Sequence, residues 1–183
     1  MTLEIRQFDL REASWVSDRN VLSNLRRLVF IVEQKVPQEE EWDGLDEDAW
    51  HWLATDLEGR PIGTARLLPS GQIGRMAVLA EFRGLKVGRA MLEHAVEKAR
   101  QLGFPSVFLN AQSHALGFYQ KSGFEAVGDE FEEAGIQHFR MEQVLEPLSD
   151  HVQRKLITGA VPEVGLRDYD TAEVSWTSGR KLI

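Results

Sequence analysis

The stretch Arg83-Gly84-Leu85-Lys86-Val87-Gly88-Arg89-Ala90 lies between an apolar run at 73–79 and an amphipathic run that ends at Gly103. The first has the length of a strand, and the second repeats its apolar residues at three- and four-residue steps. A glycine-bearing turn that opens a helix presents main-chain N–H groups with no intrahelical acceptor, and such a nest holds an anion such as a pyrophosphate. Arg83, Lys86 and Arg89 add positive charge there, although the chain carries 21 Lys+Arg against 29 Asp+Glu. Alone, the stretch reads equally well as an ordinary basic turn, so its surroundings decide its meaning.

On the C-terminal side, Met91, Leu92, Ala95, Ala99 and Leu102 form the buried stripe of a helix from about 88 to 102. Glu93, His94, Glu97, Lys98 and Gln101 face water, and Gly103 stands where a C-cap belongs. Residues 106–111 read as a strand, 114–122 as a short helix stopped at Gly123, and 124–127 and 138–144 as closing strands. On the N-terminal side, 50–55, 62–68 and 73–79 are strands joined by Glu58-Gly59-Arg60-Pro61 and Pro69-Ser70-Gly71, which predicts an antiparallel meander. Val21, Leu22, Leu25, Leu28, Val29 and Val32 predict an amphipathic helix over 18–34, with Ser17 or Asp18 as N-cap and Val36-Pro37 as its end. Leu3, Ile5 and Phe8 suggest an opening strand. The fold class is α+β with a mixed, mostly antiparallel sheet. Residues 1–146 form the domain; 147–183 form a C-terminal extension, either a docked strand or arm (Ala172 to Trp176) or a loosely ordered terminus. A docked strand could pair with its own sheet or with a second subunit, as a homodimer.

The segment Phe118-Tyr119-Gln120-Lys121-Ser122-Gly123-Phe124 follows a predicted strand and holds one of two tyrosines in the chain. Together with the arginine-glycine turn, in this order and separation, it resembles the GNAT superfamily of acyl-CoA-dependent N-acetyltransferases over roughly residues 3–145. Val29-Phe30-Ile31-Val32-Glu33-Gln34, the Glu41/Asp43/Asp46 spacing, Asn110-Ala111-Gln112, and Glu133-Ala134-Gly135-Ile136 with His138 are similar to its ElaA-like branch. The resemblance implies a three-layer fold with a splayed central strand pair flanked by helices, acetyl-CoA as co-substrate and an amine of a small molecule or peptide as acceptor. It implies cofactor contacts at Arg83, Gly84, Leu85, Lys86, Val87, Gly88 and Arg89, at Gln112, Phe118 and Lys121, and along Met76, Ala77 and Val78. Two positions depart from the family: Lys86 replaces a glycine, and Gln112 replaces an asparagine.

The chemistry asks for a donor to the oxyanion formed when an amine attacks a thioester, and for a proton on the departing thiolate. By resemblance a main-chain N–H near the strand Met76-Ala77-Val78 supplies the first and Tyr119 the second. An amine with a pKa of about 10 must lose a proton, and the residues offer His51, beside the acidic loop, or Glu33, if burial or like-charge crowding raises its pKa. Seven of the ten residues in 39–48 are carboxylates, which reads as a solvated loop. In the sharper reading Glu41, Asp43 and Asp46 face a cationic acceptor, with His138 in the same pocket.

The acidic spacing also resembles acyl-homoserine-lactone synthases. They share the GNAT-like core, carry a similar strand to Arg66-Leu67-Leu68-Pro69, and join an acyl-carrier thioester to S-adenosylmethionine. They generally lack the two signatures. A further alternative is a non-catalytic acyl-CoA-binding or protein-interaction module. With no Cys, disulfides and thiolate ligands are excluded, and no histidine spacing suggests a metal. A net charge of −8 argues against nucleic acid. No apolar run reaches the 18 or so residues of a membrane span, and Met1 to Arg6 lacks a signal core, so a cytoplasmic protein is expected.

Overall fold

Period-two alternation in the first half of the chain sorts side chains onto two faces of one sheet. In the computed structural model, which describes residues 7–146, β1 (Phe8–Ala13), β2 (Trp50–Asp56), β3 (Pro61–Leu67) and β4 (Ile73–Val78) form an antiparallel sheet in the order β1-β2-β3-β4. Trp52 and Ala54 of β2 point to one face and join the main core with Met91, Leu92 and Ala95 of α3 (Val87–Gln101). Leu53 points to the other face, against Leu22 and Leu25 of the first helix, α1 (Trp15–Arg26). Helix, sheet and helix make the three layers, and the resemblance predicted this fold.

A second sheet is built on β8 (Ile136–Val144). It pairs with β5 (Ser106–Gln112) on one side, and with the two-residue β6 (Glu125–Ala126) and the three-residue β7 (Phe131–Glu133) on the other. Between the sheets runs a single parallel bridge, Gln72 to Phe108, with the Phe108 N–H donating to the Gly71 carbonyl at 3.0 Å. Beyond it β4 and β5 pair no further, so the central strands splay. Two short helices complete the described residues, α2 (Gln38–Glu41) and α4 (Leu116–Gln120).

Several boundaries differ from the sequence expectation for physical reasons. The first helix starts at Trp15, with Ser14 as N-cap in place of Ser17 or Asp18; Asp18 lies one turn in and accepts the Ser14 N–H at 2.9 Å. After Arg26 the helix widens into a π-helical turn, Arg27–Glu33, seen in the Gln34 N–H donating to the Val29 carbonyl. Leu102 is 41% exposed and leaves the buried stripe, because the helix has ended. The acidic loop is not simply solvated: Glu39, Glu40, Glu47 and Asp48 are exposed, but Glu41 and Asp46 are buried. The strand β7 was too short to carry a periodic signal. Leu3, Ile5 and the extension 147–183 lie outside the described residues. Among the described residues no helix is long and apolar enough to cross a membrane.

Candidate active site

The splay between β4 and β5 opens a cleft of about 520 Å³. Its walls come from five elements: the π-helical turn (Val29, Glu33), β4 (Met76, Val78), the end of β5 (Gln112), α4 (Phe118, Tyr119) and the start of β8 (Ile136). Among the described residues the cleft side of β4 has no strand partner; its other side pairs with β3. The Leu79 N–H donates to the Ile62 carbonyl, and alternation then turns the main-chain groups of Ala77 toward β3 and those of Met76 and Val78 toward the cleft. An extended amide-bearing chain could pair with this edge as an added strand.

At one end of that edge sits the start of α3. Its first main-chain bond runs from the Ala90 N–H to the Lys86 carbonyl at 3.0 Å, and no side chain caps the helix. The N–H groups of Val87, Gly88 and Arg89 therefore precede the ladder, an arrangement whose chemistry suits an anion. Lys86 adopts φ +64°, the left-handed region, so the turn keeps the shape a glycine would give it, at a cost on the order of 1 kcal/mol. A Cβ built on Gly88 would meet Phe118 and Val78 at 3.8 Å, which puts α3, β4 and α4 within contact distance.

Tyr119 projects from α4 into the cleft. Its ring packs edge-on against Phe118 and Phe124, at centroid distances of 4.9 and 6.2 Å. Burial pushes the phenol up to about 12, so it stays protonated across the neutral range. No protein group accepts its hydrogen among the described residues. Across the cleft, Arg83 makes a two-point ion pair with Glu33, both contacts at 2.7 Å, and its Nε donates to the Val78 carbonyl at 3.0 Å. The Arg83 guanidinium holds Glu33 below the usual carboxylate range, the opposite of the shift a base would need. The Gln112 amide donates to the Gln34 amide oxygen at 3.0 Å and bridges β5 to the end of the π-helical turn.

His51 stands apart from the cleft. It is fully buried on β2, stacked on Trp15 at 5.1 Å, and its Nε2–H donates to the Asp46 carbonyl at 2.8 Å. Burial lowers its pKa and keeps it neutral. This corrects its expected role as base: it reaches no cleft surface. His138 is also buried, with Nδ1–H on the Ile136 carbonyl and its ring on Phe131, and does not line the cleft.

Nor do Glu41, Asp43 and Asp46 face an acceptor. They turn inward onto three arginines. Arg26 binds Glu41 and Asp46, Arg66 binds Asp43 and Asp46, and Arg75 binds Glu41 and Asp43. Burial raises Glu41; at Asp43 and Asp46 burial acts the same way, but hydrogen bonds from Arg66 and Arg26 outweigh it and hold both low. The spacing that looked like a binding face is an ion-paired cluster in which each carboxylate meets two of the three arginines.

The sequence model of the acetyltransferase (GNAT) domain matches residues 22–145. The chain belongs to the GNAT acetyltransferase family. It is 39% identical over 122 residues to the uncharacterized N-acetyltransferase YjcF of Bacillus subtilis, covering 64% of this chain and 86% of that one. The crystal structure of Escherichia coli ElaA superposes with a TM-score of 0.67 at 32% identity, over 75% of this chain and 99% of that one. An acyl-CoA N-acyltransferase from Pseudomonas aeruginosa gives 0.66 at 31% identity, over 75% and 99%. The protein is an acyltransferase enzyme, and the GNAT family supports acyl transfer from acyl-CoA.

Of the residues expected at a GNAT site, Met76, Val78, Arg83, Gln112, Phe118, Tyr119 and Glu33 line one cleft. Gly84, Leu85, Lys86, Val87, Gly88 and Arg89 form the turn and helix start beside it. Ala77 is buried with its main chain on β3, and Lys121 caps the far end of α4 on the surface. Val29, Gln34, His114 and Ile136 also line the cleft and were not singled out as site residues. For Gln34 the reason is the π-helical turn, which no three-four periodicity reveals.

Proposed function

We propose that the protein transfers an acetyl group from acetyl-CoA to the amine of a small molecule or peptide by direct attack, with Tyr119 as general acid. The observation that carries this reading is that Met76 and Val78 of the β4 edge share one cleft with Tyr119, with the turn that opens α3 beside it. Bound acyl-CoA supplies a thioester carbonyl for the amine to attack and a thiolate that leaves. The residues present fit it: the Val87, Gly88 and Arg89 N–H groups suit its pyrophosphate, and the main-chain groups of Met76 and Val78 suit its amide-bearing arm.

Each step then has a residue. The Met76 N–H, fixed in a strand and aimed into the cleft, is the donor for the oxyanion. The nitrogen–carbon bond forms, the carbon–sulfur bond breaks, the Tyr119 O–H gives its proton to the sulfur, and the attacking nitrogen releases a proton to solvent, from which the phenolate is reprotonated. Phe118 and Ile136 limit water at the reacting centre. Because Arg83 keeps Glu33 ionised and His51 is sealed off, the acceptor amine enters as its free base or yields its proton to solvent. Internal pairing of Glu41, Asp43 and Asp46 with arginines supports this over the synthase alternative, which would need that face for a cationic substrate.

The test is thiol release from acetyl-CoA over a panel of primary amines, with wild type and Tyr119→Phe compared. Loss of a general acid typically costs 100-fold or more. We expect kcat to fall by about 100-fold in Tyr119→Phe, with KM for acetyl-CoA within about threefold. Full activity in Tyr119→Phe would remove the acid assignment.

A further inference from the structure

The main-chain groups of β4 change sides partway along the strand. Near its start, the Leu68 N–H donates to the Gln72 carbonyl, so Gln72 faces β3. Strict alternation would then turn Gly74, Met76 and Val78 toward β3 as well. Near its end, however, the Leu79 N–H donates to the Ile62 carbonyl, so it is Leu79 and Ala77 that face β3. An extra residue reconciles the two: Thr64 pairs with Ala77 and Arg66 with Gly74, which leaves Arg75 and Met76 opposite Ala65 alone. This is a β-bulge, and it is what turns Met76 into the cleft.

Arg75 takes the positive φ of the bulge, +51°, a conformation that favours glycine. Its side chain is held at four points. Nε lies 3.2 Å from the Glu41 carbonyl and 3.1 Å from Glu41 Oε2; Nη2 lies 3.1 Å from the Glu40 carbonyl and 3.0 Å from Asp43 Oδ2. Glu41 and Asp43 are themselves fixed by Arg26 and Arg66. None of these side chains lines the cleft.

We propose that Arg75, clamped by the acidic loop, is a positioning residue that keeps the Met76 N–H aimed at the developing oxyanion. The inference rests on the acyl-transfer reading above and gives the loop a task in it. The guanidinium replaces conformational freedom: where glycine would adopt the bulge unaided, here the ion pairs select it. The loop therefore acts on kcat through the strand, without touching either substrate.

Two measurements on the full chain test this. The first needs no ligand. Ala77 faces β3 only while the bulge persists, so its amide should exchange about tenfold faster in Arg75→Ala than in wild type, and Arg75→Gly, which accepts positive φ, should restore part of the protection. The second is steady-state kinetics with acetyl-CoA. Misplacing an oxyanion donor should lower kcat about tenfold or more in Arg75→Ala, with KM for acetyl-CoA within about twofold and partial recovery in Arg75→Gly. Should Arg75→Ala not fold, Asp43→Asn removes one clamp and should lower kcat severalfold at unchanged KM. Variants whose Ala77 exchange and kcat per folded molecule match wild type would overturn the role of Arg75. A wild type that binds no acetyl-CoA would overturn the acyl-transfer reading and this inference with it, whereas equal variants on an active wild type would overturn only the inference.

Discussion

His51 has the pKa range of a general base, but the fold uses its ring as packing. It lies flat on Trp15 and donates to the Asp46 carbonyl, tying β2 to the acidic loop. Losing that bond and filling the site with a smaller group should cost about 2 kcal/mol, by the usual penalty for a disturbed buried polar contact. We expect His51→Asn to lower Tm while kcat/KM per folded molecule stays within about threefold. A large loss of kcat at unchanged Tm would return His51 to catalysis. Tyr119 shows the converse. Its ring is packed by Phe118 and Phe124, yet the residue also lines the cleft, and burial raises its phenol to about 12.

At the scale of elements, helix α1 owes its start to a residue one turn inside it. Asp18 accepts the Ser14 N–H and pairs with Arg11 at 2.7 Å, which joins the helix to β1. The Arg11 guanidinium pulls the Asp18 carboxyl down from 3.8 to about 2. Its stabilisation is therefore complete above about pH 4 and disappears as pH falls through 2. Asp18→Asn should lose about 1 kcal/mol in urea unfolding at pH 6, and the gap from wild type should close between pH 4 and 2. A gap that does not vary with pH would contradict the ionic part of the cap. The same helix shows what the sequence could reveal. Apolar spacing located α1, α3 and the strands of the meander, and the two signatures pointed to the start of α3 and to Tyr119 beside the cleft, because each is a local pattern. The π-helical turn, the bulge at Arg75 and the pairing of Glu41 with Arg26 were not legible. The first two break periodicity, and the last joins residues 15 apart through a fold that must already exist.

At the largest scale, the described residues form two sheets that meet at one bridge and separate, with the charged loop packed on one side and the cleft open between them. Three arginines and three carboxylates balance at the loop, and removing one partner of such a buried set typically costs several kcal/mol. Loop, bulge and cleft wall are thus one connected body. A ligand that pairs with the β4 edge and the start of α3 bridges that body to the rest of the fold, and its binding energy adds to the stability of the folded state. At 100 times its dissociation constant it contributes about 2.7 kcal/mol. Thermal unfolding of the wild-type chain with acetyl-CoA, free CoA or S-adenosylmethionine measures this directly. We expect Tm to rise by several degrees with either CoA species and not with S-adenosylmethionine; no rise with acetyl-CoA, or a rise with S-adenosylmethionine alone, would contradict an acyl-CoA cleft between β4 and β5.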